Sequence, residues 1–251
     1  MLRRMIRRAF AAVAALAIAM PLAADVTPVM PRMSSYHFGL FRRGPSWTPG
    51  RTPRTDSIQA GHMANIQRMA DEGVLLAAGP FGDGGALRGV LIFRQDSTAR
   101  LRQLVARDPA IASGRLTLDL YSWFAPAGIG EPYKRMAAQP GFRDSMVRMQ
   151  LVLFKAGPQA TREPTTEAME LQKAHVAGIF RGLLAGELAT GGPFTDGGDL
   201  RSVLVYRGDS ASAHRRALDD PAVKAGHLVV EMHPWYAAYG TMPGDTLRGA
   251  R

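Results

Sequence analysis

The sequence GVLLAAGPFGDGGALRGVLIFRQDS, residues 73–97, returns at residues 186–210 as GELATGGPFTDGGDLRSVLVYRGDS, with 15 of 25 positions identical. Ordinary composition gives about one or two identities by chance over that length. The register continues at a spacing of 113 residues, where His62 matches His175, and at 112 residues further on, where Trp123 matches Trp235. The chain therefore contains one module twice, and its function has to be explained for two copies.

The first 24 residues have the order of a secretory signal peptide. Four arginines without an acidic residue precede an alanine-rich apolar stretch, and small residues stand before Asp25. The apolar run is shorter than the about 20 residues that a membrane span needs. We expect a periplasmic or secreted protein after cleavage near Ala24, with an uncleaved N-terminal anchor as the alternative. The pair Arg7-Arg8 also allows the twin-arginine route.

Composition excludes several classes of function. Without residues 1–24 the chain keeps 227 of its 251 residues, a length that is enough for two modules of about 90 residues. Its formal charge is then +6 instead of +10. It has no cysteine, which excludes disulfides, thiolate nucleophiles and iron–sulfur clusters. The arginines are scattered and not interleaved with aromatic residues, so we interpret them as solvated surface and expect no nucleic-acid partner. No stable membrane span is expected after processing.

The hydrophobic pattern of each copy predicts the order β-α-β-β-α-β. In the first copy, strands are predicted at residues 36–42, 74–78, 87–94 and 116–124, and a helix at residues 58–71. A second helix opens at Ser97 and ends before Pro109, and the turn formers of residues 44–57 exclude regular structure there. In the second copy, strands are predicted at residues 150–155, 187–190, 200–207 and 228–236, and helices at residues 167–184 and 212–219.

This order is the split βαβ or ferredoxin-like unit, whose sheet carries helices on one face and needs cover on the other. The predicted fold class is therefore α+β, with two tandem ferredoxin-like (βαββαβ) modules packed sheet to sheet as an internal pseudo-dimeric α/β barrel. One chain then needs no second copy, although further association stays open. The predicted parts are a signal peptide (1–24), module 1 (34–126), a linker (127–146) with a helical turn, module 2 (147–240) and a flexible tail (241–251).

A histidine and an aspartate recur at the same places in both copies. His62 and His175 lie on the apolar stripe of their helices, and Asp108 and Asp220 each precede a proline at a helix end. Each also has a structural alternative: a histidine bonded to the backbone at the edge of the core, and an aspartate that makes a turn. A carboxylate beside an imidazole fixes its tautomer and stabilises the imidazolium. All four residues are therefore predicted to be catalytic.

The loops GPFGDGG and GPFTDGG are predicted to be hairpin loops and not phosphate cradles, because no helix N-terminus follows them. Phe81 and Phe194 in these loops, and Trp123 and Trp235 at the ends of the last strands, are predicted to line a pocket. Core packing is the alternative for both tryptophans. The spacing of the histidines matches no H-x-x-x-H or H-E-x-x-H pattern, so we expect neither a metal nor a cofactor.

Each half resembles the YciI-like (YCII-related) family. The shared features are a histidine-bearing helix (QAGHMANI; QKAHVAGIF), AAGPF or TGGPF followed by D-G-G, a V-L-I-F or V-L-V-Y strand, a Ser-led helix ending in D-P, and a last strand ending in Trp. The resemblance covers about residues 36–124 and 149–239. It implies a fold of the dimeric α/β-barrel type and an active site built from the two His–Asp pairs. Family members are usually single modules that pair as dimers, and this chain departs from them as a fused tandem.

The expected function is that of a periplasmic tandem YCII-related enzyme, which uses His–Asp acid/base chemistry without a cofactor. Its substrate would be a small organic molecule, aromatic or lactone-like by the resemblance, and the reaction an elimination, an isomerisation or a hydrolysis. One alternative is a non-catalytic small-ligand-binding or accessory protein of the cell envelope, and another is an interaction module for a membrane partner. A His–Asp contact beside a hydrated cleft favours the enzyme, whereas a histidine capped by backbone in a dry cleft favours the binding protein.

Overall fold

The computed structural model describes residues 30–161, 163 and 165–245, so the predicted signal peptide lies outside the described residues. Module 1 consists of β1 (Met33–Arg43), α1 (Pro53–Asp71), β2 (Leu75–Pro80), β3 (Leu87–Arg94), α2 (Thr98–Ala106), α3 (Pro109–Ala112) and β4 (Leu116–Pro126). The connection holds α4 (Glu131–Ala137). Module 2 consists of β5 (Met146–Ala156), α5 (Thr166–Leu184), β6 (Leu188–Pro193), β7 (Leu200–Tyr206), α6 (Ser210–Leu218), α7 (Pro221–Lys224) and β8 (Leu228–Ala238).

Each module forms one four-stranded sheet in which all neighbouring strands are antiparallel. The strand orders are β2-β3-β1-β4 and β6-β7-β5-β8, so the first strand of each module lies inside its sheet, between the third and the fourth. This is the topology of the split βαβ unit. The structure confirms the predicted fold class in both copies.

The two sheets pack face to face and meet along two seams, β2 beside β8 and β4 beside β6. At the seams, Trp235 Nε1 donates to the carbonyl of Gly79 and Trp123 Nε1 donates to the carbonyl of Gly192, both at 3.1 Å. A Cβ atom on Gly79 would collide with the carbonyl oxygen of Tyr236. Glycine is therefore required where the strands of the two modules approach each other.

The main core fills the space between the two sheets. It takes fully buried side chains from both modules, among them Phe38, Trp123, Leu151 and Trp235. In each module, one further core lies between the sheet and the helices of that module. Because burial of one large apolar side chain contributes about 1.5–3 kcal/mol, the shared core is what holds the two modules as one barrel.

Two helix boundaries in module 1 differ from the sequence predictions. Helix α1 begins at Pro53 and not at residue 58, because Thr52 and Thr55 form a capping box and a proline at the first position has no N–H to satisfy. The prediction that residues 44–57 exclude regular structure is therefore wrong for the last five of them. Asp108 does not end a helix but caps the short helix α3, again with a proline at the first helical position.

The change of spacing between the copies falls before the second helix. Ser97 caps α2 through the N–H of Arg100, whereas Asp209, and not Ser210, caps α6 through the N–H of Ser212. Helix α6 therefore begins at Ser210 and not at the predicted residue 212. The Asp-Ser pair that ends the repeated block in both copies is therefore shifted by one residue relative to the helix that follows it.

The connection and the C-terminal segment pack against each other. Gly130 N donates to the carbonyl of Thr241 at 2.8 Å, and Tyr133 N donates to the carbonyl of Gly240 at 2.7 Å. Asp245 is buried and pairs with Arg207 at 2.6 Å. In contrast to the predicted flexible tail, residues 241–245 are part of the packed structure; residues 246–251 lie outside the described residues. No helix within the described part of the chain is long and apolar enough to span a membrane.

Candidate active site

The structure brings His62 and Asp108 together. His62 projects from α1, and its Nδ1 lies 2.7 Å from Asp108 Oδ2. The other carboxylate oxygen accepts the N–H of Ala110 at 2.8 Å, which fixes the aspartate as the N-cap of α3. Because the carboxylate is held at both oxygens and is 1% exposed, it has one orientation in which to meet the imidazole.

The same contact is present in module 2. Nδ1 of His175 lies 2.7 Å from Asp220 Oδ2, and Asp220 Oδ1 accepts the N–H of Ala222 at 2.9 Å. An ionised carboxylate only accepts hydrogen bonds, so in both modules the histidine donates from Nδ1. In the neutral imidazole the lone pair then resides on Nε2, which is the tautomer of a general base.

The two histidines differ at Nε2. In module 2, Nε2 of His175 lies 3.1 Å from the hydroxyl of Ser202, and the side chain is 3% exposed. The matching residue in module 1 is Gly89, which has no hydroxyl to offer. His62 is 13% exposed, and its Nε2 contacts no hydrogen-bonding group of the described residues. The lone pair of His62 is therefore available, whereas that of His175 is already used.

Further side chains hold the module 1 pair in place. Asn65 Nδ2 lies 3.4 Å from Asp108 Oδ2, and Arg68 Nη2 donates to Asn65 Oδ1 at 2.7 Å. Phe41 stands edge-on to the ring of His62, with 5.4 Å between the ring centroids. Module 2 has Gly178 where module 1 has Asn65, so its aspartate lacks the amide contact.

A cleft adjoins the relevant helix in each module. The α1 cleft, of about 460 Å³, is lined by Gly50, Arg51, Thr55, Asp56, Gln59, Ala60, Met63 and Arg115. His62 is not among its lining residues but belongs to the same helix. The α5 cleft, of about 240 Å³, is lined by Asp220 itself together with Tyr206, Gly178 and Gly182, among others. Both clefts carry polar groups; Asp220 lines the α5 cleft, whereas neither His62 nor Asp108 lines the α1 cleft.

Tyr206 gives the α5 cleft a hydrogen-bond donor that module 1 lacks, since Phe93 takes its place there. Burial, followed by the charge of Asp220, raises the pKa of Tyr206, so the hydroxyl stays protonated. It makes no hydrogen bond to the described residues. The cleft thus offers a free donor next to the carboxylate of Asp220.

The four aromatic residues predicted to line a pocket lie at the seams and in the shared core. Phe81 bridges to Trp235 and Phe194 bridges to Trp123, each across the two modules. None of the four lines the α1 cleft or the α5 cleft. The physical reason is that each indole N–H finds its acceptor on the facing module, which places the ring inside the barrel.

A charged network that the sequence pattern does not indicate lies at one seam. His233 contacts Asp83 of module 1 through Nδ1 and Glu231 through Nε2, and Glu231 also pairs with Lys155. Burial raises the pKa of Asp83 and of Glu231, but hydrogen bonds outweigh it and leave both pKa values below the ordinary range, with His233 acting on Asp83 and Lys155 on Glu231. Tyr121 occupies the position in module 1 that matches His233, so the repeat carried no signal for this site.

Fold and site together define a tandem α/β-barrel protein with one His–Asp pair in each module. Residues 46–120 match the model of the YCII-related domain, which confirms the resemblance for module 1, and module 2 repeats its fold and its paired residues. No curated protein matches this chain significantly. Within the described part of the chain, no group of three or more histidines and acidic residues is placed to hold a metal ion.

Two solved structures show an overall likeness at low identity. A chlorite dismutase variant from Candidatus Nitrospira defluvii has 13% identity over 82% of this chain and 91% of that chain, with a TM-score of 0.48. A heme-binding protein from Thermus thermophilus has 14% identity over 84% of this chain and 94% of that chain, with a TM-score of 0.46. What these proteins bind or catalyse is a property of those proteins.

Proposed function

We propose that this protein is an enzyme that uses a His–Asp pair for acid/base catalysis on a small organic molecule, without a cofactor. The observation that carries the proposal is the pair in module 1, where Asp108 holds Nδ1 of His62 at 2.7 Å and leaves Nε2 open. A merely structural histidine would have both ring nitrogens satisfied, as His175 has.

The chemistry follows from the tautomer. Nε2 of His62 takes a proton from a carbon or oxygen of the substrate, or in a hydrolysis from the attacking water, and the buried carboxylate of Asp108 stabilises the imidazolium that forms. The proton then returns to another atom of the substrate or to its leaving group. Elimination, isomerisation and hydrolysis share this first transfer, and a positioned base contributes about 10²–10⁴-fold to the rate.

Module 2 supports a second function, that of a small-ligand-binding site. To act as a base, His175 has to give up its hydrogen bond from Ser202, which costs about 1 kcal/mol or more in a buried position. The α5 cleft beside Asp220, with the free hydroxyl of Tyr206, is suited to hold a ligand without reacting with it. The two modules would then divide turnover and binding between them.

The test compares His62→Gln with its matched control His175→Gln. Glutamine is neutral, similar in size and not a base. The protein is incubated in D2O with a panel of small aromatic and lactone-type molecules, and NMR detects deuterium incorporation and product. Turnover is expected to fall at least about 100-fold in His62→Gln and to persist in His175→Gln. Unchanged turnover in His62→Gln contradicts the proposal, and saturable binding without turnover in the wild type supports the binding protein.

We also propose that the protein is exported to the periplasm or beyond. The support is the order of residues 1–24, with a basic start, a short apolar stretch and small residues before Asp25. N-terminal sequencing of the protein from the cell envelope should begin near Asp25. A chain recovered from the cytoplasm that still begins at Met1 contradicts this location.

A further inference from the structure

Three arginines converge on one tryptophan at the surface of module 1. The guanidinium carbons of Arg115, Arg88 and Arg43 lie 4.4, 4.7 and 5.3 Å from the ring centroid of Trp47. The three come from the end of β1, from β3 and from the residue before β4. These arginines are far apart in the sequence and meet at the surface of the fold, and we call the group the Trp47 cluster (Trp47, Arg43, Arg88, Arg115).

The Trp47 cluster carries three positive charges, which Asp83 offsets in part at Arg88. None of the three arginines forms an ion pair with a carboxylate of the described residues. Their hydrogen bonds go to neutral oxygens, those of Gly84 (2.6 Å), Gly85 (3.4 Å) and Thr48 (2.9 Å). The charge of Asp83 raises the pKa of Arg88, but the hydrogen bond of the Asp83 carboxylate is to His233 and not to Arg88.

The like charges of the three arginines lie close together and repel each other. Burial lowers the pKa of Arg88, and the charge of Arg43 lowers it further; the charge of Asp83 raises it, and the charge of Arg115 lowers it by less. Each guanidinium has five N–H donors, of which the described residues use a minority. Cation–π contact with the indole holds the guanidinium groups near the ring, and most of their N–H donors have no acceptor among the described residues.

Only one of the two copies carries the cluster. Module 2 has Ala160, Ala156 and His227 at the positions of Trp47, Arg43 and Arg115, and keeps only Arg201 at the position of Arg88. Because module 2 has the same topology without these side chains, the fold does not require them. Their presence in module 1 calls for a reason outside folding.

Of the Trp47 cluster, Arg115 lines the α1 cleft, and Trp47, Arg43 and Arg88 do not. Arg115 stacks on Trp47 and also lines the α1 cleft, together with Arg51 and Gln59. The cleft volume of about 460 Å³ is large enough for a small organic molecule. A ligand in the cleft can therefore place a charged end at the arginines and its body along the helix that carries His62.

We propose that the Trp47 cluster is the binding site for the oxyanion group, carboxylate or phosphate, of a small organic molecule held in the α1 cleft. A guanidinium can donate two parallel N–H hydrogen bonds, and two oxygens of a carboxylate or a phosphate are spaced to accept both of them. The oxyanion also offsets the repulsion among three like charges. The site binds its ligand whether or not His62 turns it over, so it goes beyond the proposed reaction.

Tryptophan fluorescence provides the test. Trp123 and Trp235 are buried inside the barrel, so Trp47 is the tryptophan that responds to an added anion. The protein is titrated with inorganic phosphate, phenyl phosphate and benzoate at constant ionic strength, which removes general screening. A saturable change is expected for one of the organic anions, and Trp47→Phe should abolish the signal. Comparison of phenyl phosphate with benzoate separates the two kinds of oxyanion.

Variants assign the binding to the cluster. Arg88→Gln should raise Kd about tenfold or more, since a charge-assisted hydrogen bond is lost. Arg88→Lys, which keeps the charge but not the fork, should weaken binding less. The matched control Arg201→Gln should bind as the wild type does. Absence of any saturable response, or equal weakening by Arg88→Gln and Arg201→Gln, overturns the proposal, as does binding only to anionic lipid vesicles.

Discussion

Asp108→Asn isolates what the buried carboxylate does for His62. Asparagine caps a helix as well as aspartate does, so the bond to the N–H of Ala110 is kept. Its NH2 group then faces Nδ1 of His62, and two donors cannot share a hydrogen bond. The imidazole is expected to move its proton to Nε2 and to accept at Nδ1. That tautomer has no lone pair at Nε2 and cannot take a proton from a substrate.

The size of the effect follows from the contacts. The variant exchanges a charge-assisted bond to His62, about 1.5–3 kcal/mol, for a neutral one of about 0.5–1.5 kcal/mol. The long contact from Asn65, at 3.4 Å, adds little. We expect a loss of about 1–2 kcal/mol, which lowers Tm by roughly 2–8 °C for a protein of this length. Turnover is expected to fall by about 10²-fold or more, because a general base is lost.

Asp220→Asn is the matched control. It keeps the cap at Ala222 and forces the same tautomer on His175, but there the proton on Nε2 can be donated to the hydroxyl of Ser202. The loss of stability should be similar and turnover unchanged. Thermal denaturation and 15N NMR of the imidazole nitrogens measure both quantities. If His62 keeps its proton on Nδ1 in Asp108→Asn, the reasoning is refuted.

The seam network should weaken in acid. Because the pKa of folded Asp83 lies below its ordinary 3.8, its contribution is complete above that pH and disappears as the pH falls through the lower value. In urea denaturation, Asp83→Asn should therefore be less stable than the wild type at neutral pH, and the difference should vanish in strong acid; a constant difference argues against the network. Gly79→Ala should destabilise the barrel by about 2–4 kcal/mol, because the new Cβ collides with the carbonyl of Tyr236. Gly198→Ala, which meets open space, should change stability by less than about 0.5 kcal/mol, and equal melting temperatures would contradict this account of the seam.

The strands were predictable where hydrophobic runs and turn glycines agree. Strand β3 occupies the predicted residues 87–94 because a continuous apolar run follows a glycine-rich loop. Helix α1 was placed too late because Pro53 and its neighbours resemble a turn until Thr52 is recognised as a cap. The Asp-Pro pair at Asp108 is compatible with either end of a helix, since proline fits the first turn as well as the residue after the last.

The His–Asp contacts were predictable because two copies carried the same residues at the same places. The difference between the copies was not. An alignment pairs Gly89 with Ser202, but only the fold shows that this position faces Nε2 of the histidine. The Trp47 cluster was missed because its arginines are far apart in sequence and meet only when β1, β3 and β4 lie side by side.

The covalent link between the two halves of the barrel also has a consequence for how this protein can evolve. In a homodimer, every substitution appears twice, so an innovation at one site has to be tolerated at its symmetry mate. Within one chain the halves mutate independently. The residue pairs Gly89 and Ser202, and Trp47 and Ala160, are such independent choices. After duplication, one half of the barrel can therefore lose the chemistry of the other half, while both sheets still cover each other and form the shared core.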